Sequence, residues 1–141
     1  MKHFLILAVI LSGCGYRPAH DIVVSTEFTI EQQEMIFAAA DEWCEVAGVC
    51  LPVSVGDDPN VVVEKDETRC PCWGMVEVSV AGDPLIRLCQ DSPHFQKTAA
   101  HEIGHAISAQ LDHPTSGVMS APWDGSEHVS EADAEWLRES L

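Results

Sequence analysis

An α+β domain built on a five-stranded, mixed, twisted sheet is what this chain predicts, and three observations predict it. Apolar residues recur at helical spacing in two long windows, about 29–47 and 93–109, and again near the C-terminus. Five short runs rich in Val, Ile and Leu lie before and between them, bounded by Pro, Gly, Asn and Asp. The resulting order is strand, helix, four strands, helix, loop, helix. At 141 residues the chain is one domain.

The N-terminus reads as an export signal. Lys2 and His3 form a short n-region, and Phe4–Leu11 is an apolar stretch too short to span a bilayer. Leu11-Ser12-Gly13-Cys14 follows and resembles a bacterial lipobox, in which cleavage leaves an acylated cysteine at the new N-terminus. Residues 1–13 are then a lipoprotein signal peptide, residues 14–21 a lipidated tether, and residues 22–141 the folded domain. The resemblance implies a membrane anchor at Cys14 and a place in the bacterial cell envelope. Gly15 rather than Asp after Cys14 resembles the outer-membrane sorting pattern.

Ile22–Ser25 is a brief β-rich run and the expected first strand. Thr29 caps a helix that carries Met35, Ile36, Ala39, Ala40 and Trp43 on one face and ends at Gly48. Cys50–Val55 is the second strand, and Asp57-Asp58-Pro59-Asn60 is turn chemistry. Val61–Val63 is apolar throughout, which places it centrally. Met75, Val76, Glu77, Val78, Ser79 and Val80 alternate, as an edge strand with one exposed face does. Leu85–Cys89 is the fifth strand. Ser92 and Pro93 then form the expected start of the second helix. The stretch from Leu111 to Pro122 has no periodicity and reads as a loop, and Ser130 with Asp133 opens the last helix as an acidic capping box.

The second helix carries His101-Glu102-Ile103-Gly104-His105, an H-E-x-x-H motif. Residues four apart lie on one helix face, so His101 and His105 can bind one Zn²⁺ through ring nitrogens. Glu102 stands beside the metal as the general base that takes a proton from the attacking water. Phe95, Ala99, Ile103, Ala106 and Ile107 form an apolar stripe roughly opposite the histidines, which therefore face a cleft.

Five cysteines remain after Cys14: Cys44, Cys50, Cys70, Cys72 and Cys89. In an oxidising compartment Cys44 and Cys50 form the expected bridge, and Cys89 takes Cys70 or Cys72. Seven basic against 23 acidic residues give a formal charge of −16. That argues against nucleic acid or an anionic membrane surface as partner. A monomer is expected.

The order of elements and the run Ala99–Ala106 resemble the metzincin clan of zinc endopeptidases, most closely its matrixin-like branch. Gly117-Val118-Met119 resembles the family's Met-turn, with Met119 beneath the metal, and Val129–Leu137 resembles its C-terminal helix. The likeness covers roughly residues 21–141. It implies a catalytic domain that hydrolyses peptide or protein substrates, with an extended substrate pairing along the 75–80 edge strand. This chain departs from the family at the third ligand. Ser108 stands where the pattern has glycine, and Leu111, which cannot bind zinc, where it has His or Asp. His113 is the expected third ligand and Asp112 the runner-up. On an unbroken helix His113 would lie about 18 Å along the axis from His101, so the helix must break near Ala109 or Gln110. Two alternatives stand beside this reading. One is an impaired metzincin-like lipoprotein that acts as a binding module. The other keeps the enzyme but takes Glu131 or Glu135 as third ligand, as gluzincins do.

Overall fold

The computed structural model describes residues 16–68 and 74–140. The expected signal peptide, Cys14, Cys70 and Cys72 lie outside the described residues. The fold is α+β, with a five-stranded mixed sheet and three helices among the described residues. None of those helices is long and apolar enough to cross a membrane.

The strands are β1 (Ile22–Ser25), β2 (Val53–Gly56), β3 (Val61–Val63), β4 (Gly74–Val78) and β5 (Pro84–Leu88). The helices are α1 (Ile30–Ala47), α2 (Phe95–Ser108) and α3 (Glu131–Ser140). The sheet runs β2-β1-β3-β5-β4. All neighbours are parallel except the last pair, where β4 runs antiparallel to β5 with Val76 opposite Ile86. The apolar β3 is central and the alternating β4 is an edge, as their patterns require.

Thr29 accepts the Gln32 amide and Gln32 accepts the Thr29 amide, a complete capping box that starts α1. Gly48, left-handed at φ 74°, ends it. Cys44 and Cys50 are disulfide-bonded. Trp43, 1% exposed, reaches across from α1 and donates its indole N–H to the Ala100 carbonyl of α2 at 2.8 Å. The core between helices and sheet gathers Ile22, Ile36, Val61, Leu88, Ile103 and Leu137, all 2% exposed or less.

Several expectations shift. β2 begins at Val53 rather than Cys50, because Cys50 is held to α1 and Pro52 gives only its carbonyl, to the Ile22 amide at 2.9 Å. β4 starts at Gly74 and stops at Val78, so Ser79 and Val80 leave the expected edge strand. Ser79 already opens the turn to β5, pairing with Asp83 through backbone and hydroxyl. α2 starts at Phe95, two residues after the expected position. The side chain of its N-cap, His94, does not cap the helix, and the Ser92 hydroxyl meets Thr98 Oγ1. The expected capping box at Ser130 is present by half, in the Asp133 carboxylate that accepts the Ser130 amide at 2.8 Å. The Ser130 hydroxyl donates to the same carboxylate at 2.7 Å.

Two further features concern the environment of α2. The helix is enclosed by its neighbours, with only Gln96 and His101 along it not buried. It packs against α1, α3, β4 and β5. Residues 16–21 are not a free tether. Tyr16, Arg17 and Ala19 hydrogen-bond to α2 and to the β4–β5 turn.

Candidate metal centre

α2 stops at Ser108, and Ala109 adopts the left-handed conformation (φ 53°, ψ 36°) usually given to glycine. For a residue with a Cβ this costs on the order of 1–2 kcal/mol. The reversal it makes turns the chain back on the helix. Gln110 then presents its carbonyl to His105 Nδ1 at 2.8 Å. Three residues later His113 arrives beside the two helical histidines, which an unbroken helix would prevent.

The Nε2 atoms of His101, His105 and His113 form a nearly equilateral triangle. Its sides are 3.2 Å (His101–His105), 3.0 Å (His105–His113) and 3.2 Å (His101–His113). The tautomers follow from the outer contacts. His101 Nδ1 meets the Val118 carbonyl at 2.8 Å, as His105 Nδ1 meets that of Gln110. A carbonyl only accepts, so both Nδ1 atoms carry the proton and both Nε2 atoms present lone pairs inward. Lone pairs this close repel one another, and a cation among them removes the repulsion. Four-coordinate zinc with nitrogens at 2.0–2.1 Å sets its ligands about 3.3 Å apart. The triangle fits such an ion with a small expansion. These three residues are positioned to bind a metal ion.

Protonation favours the same use. Burial pushes His101 down to about 4 and His105 down to about 3, and it lowers His113 as well. All three are neutral at pH 7, the form that binds metal. The Asp112 carboxylate acts in the opposite direction on His105 and His113, so it lies near the site without joining the triangle.

Glu102 is 7% exposed and lies against the first residue of β4: a Cβ on Gly74 would stand 3.0 Å from Glu102 Cγ. Burial pushes its carboxyl up to about 8, and the Lys97 ammonium acts against that shift. A dication beside such a carboxyl moves it back toward the ionised form. Lys97, one turn before His101, is 8% exposed with its ammonium 5.1 Å from the centre of the Trp123 ring.

The floor of the site is the turn Gly117–Ser120, with Gly117 at φ 89° and the Ser120 amide donating to the Gly117 carbonyl at 3.1 Å. Asp133, fully buried on α3, accepts the amides of Val118 and Met119 at 3.0 and 2.9 Å. Met119 is fully buried directly under Gly104. A Cβ at residue 104 would stand 2.9 Å from Met119 Cε and 2.7 Å from Trp43 Cζ2, so glycine there lets the turn close on the helix.

The alternative third ligands, and the other histidines, stay apart. Glu131 pairs with Arg138 at 2.7 Å, and Glu135 is exposed on α3, so neither joins the histidines. His128 contacts Glu42 at 2.9 Å, and His94 packs on Trp123 and meets Glu127 at 3.1 Å. Cys89 is buried, and its expected bridge to Cys70 or Cys72 lies outside the described residues. Tyr16, whose hydroxyl donates to the His105 carbonyl at 2.8 Å, carries no sequence signal of that contact. The same holds for the carbonyls of Gln110 and Val118, because every residue type has one. Lys97 did carry a signal, its spacing of four before His101. No protein-family model matches the chain, and no curated protein matches it.

Proposed function

We propose that the protein is a zinc-dependent endopeptidase of metzincin-like type. The observation that carries this reading is the Nε2 triangle of about 3 Å edge, with two of its imidazoles oriented by backbone carbonyls and Glu102 next in chain to His101. His101, His105 and His113 hold the ion. Zinc bound there supplies Lewis-acid chemistry, polarising a peptide carbonyl and acidifying a water. Glu102, next in chain to His101, would accept the proton of an attacking water and pass it to the departing amine. The enclosing walls of α2, β4 and the 117–120 turn keep bulk water from this carboxylate, which strengthens its interaction with charge in the site.

The exposed edge of β4 is the docking line for substrate. Its outer backbone groups have no strand partner among the described residues, and Glu102 lies against its first residue. An extended peptide adding to that edge runs past the base. The competing reading, a binding module without catalysis, draws on Leu111 at the third-ligand position of the family pattern. Glu102→Ala separates the two. Under the enzyme reading, hydrolysis of a denatured-protein substrate falls by about 10²–10⁴-fold while bound zinc stays unchanged. Equal hydrolysis by the wild type and this variant, or none by the zinc-loaded wild type, favours the binding module.

A further inference from the structure

We propose that Tyr16 is a positioning residue for the metal ligand His105, and that the strap Tyr16–Ala19 is part of the scaffold of the metal centre. The inference rests on the metal-binding reading of the three histidines. Its ground is the way α2 ends. The last four carbonyls of a helix lack partners inside it. α1 closes in the ordinary way, with the Gly48 amide returning to the Cys44 carbonyl. α2 ends on a left-handed alanine, and its last carbonyls are met from outside the helix. The Tyr16 hydroxyl donates to the His105 carbonyl at 2.8 Å, and the Ala19 amide donates to the Ala106 carbonyl at 2.9 Å. The Ser108 hydroxyl adds a longer bond to the same His105 carbonyl, at 3.3 Å.

His105 is thus gripped at both ends. Its ring is held by the Gln110 carbonyl, beyond the break, and its backbone by Tyr16, nearly ninety residues earlier. The two grips fix the turn of helix from which the chain departs toward His113. Without the Tyr16 bond the last turn is free to fray or to continue, and either change moves His113 relative to His101 and His105. The strap is also anchored on its other side, through Arg17. The Arg17 amide donates to the Gly82 carbonyl at 2.8 Å, and its guanidinium reaches the Ala81 carbonyl at 2.6 Å and Asp83 at 3.3 Å. Ala19 is 9% exposed, so the strap is packed down and not merely tethered.

Tyr16→Phe keeps the ring and removes only the donor, and Arg17→Ala removes the guanidinium's contacts with Ala81 and Asp83 while sparing both the Tyr16 donor and the Arg17 amide. The test is the zinc dissociation constant of the full chain, by competition with a chromophoric chelator, together with the thermal midpoint of the metal-free protein. The proposal expects Tyr16→Phe to bind zinc roughly three- to tenfold more weakly, the scale of one lost hydrogen bond, and Arg17→Ala to bind it as the wild type does. A lowered metal-free midpoint with unchanged zinc affinity in Tyr16→Phe marks a merely structural tyrosine and overturns the proposal. Equal weakening in both variants overturns it too. A wild type that binds no zinc overturns the metal reading itself, and the proposal with it.

Discussion

His113 is the residue that completes the site, and it does so from a position the H-E-x-x-H spacing does not reach. Its Nε2 lies 3.0 and 3.2 Å from those of His105 and His101, whereas its neighbour Asp112 lies near enough to act on their charge without joining the three. Adjacent residues on a reversing chain leave it in different directions, so one of the two faces the metal. His113→Ala accordingly lowers zinc affinity by more than the roughly 10–100-fold that loss of an outer partner costs, and Asp112→Ala leaves it nearly unchanged. Chelator competition on the two variants checks this. Equal losses, or a larger loss in Asp112→Ala, would reverse the assignment.

At the scale of elements, the site is α2 pressed onto the 117–120 turn, and Gly104 is where they meet. An added Cβ there collides with Met119 and Trp43, both 1% exposed or less and unable to yield without moving their own neighbours. Gly104→Ala is expected to destabilise the fold by about 1–3 kcal/mol, the usual scale of overpacking, read as a lower denaturation midpoint in urea. An unchanged midpoint would mean that the turn seats loosely. The same elements show what was legible beforehand. β1, α1 and β3 have their expected bounds, because β-branched runs, a capping box and a glycine stop are local signals. The bounds of β2, β4, β5 and α2 moved, by up to three residues at the start and two at the finish. There a disulfide, a proline carbonyl or a serine turn decided between two nearly equal local choices. His101, Glu102, His105 and His113 could be named because spacing along a helix and the reach of a loop are sequence quantities. The grip of Tyr16 on His105 could not, since it joins positions 89 apart through one hydroxyl and one carbonyl.

Across the whole molecule, the candidate metal centre draws on every layer. α2 gives two imidazoles and the carboxylate, the reversal after it gives the third imidazole, α3 holds the floor through Asp133, and the N-terminal strap grips the helix end. The formal charge of −16 adds a field that draws cations toward the protein, though it names no particular metal. Cysteine sulfur is the rival kind of zinc ligand in this sequence, which also carries Cys70, Cys72 and Cys89. X-ray absorption at the zinc edge, on the chain carrying one equivalent of zinc, tells the two donor sets apart. A first shell with three imidazole nitrogens at about 2.0–2.1 Å and one further light atom is the predicted result. A shell containing sulfur at about 2.3 Å, or one without imidazole scattering, would contradict the account.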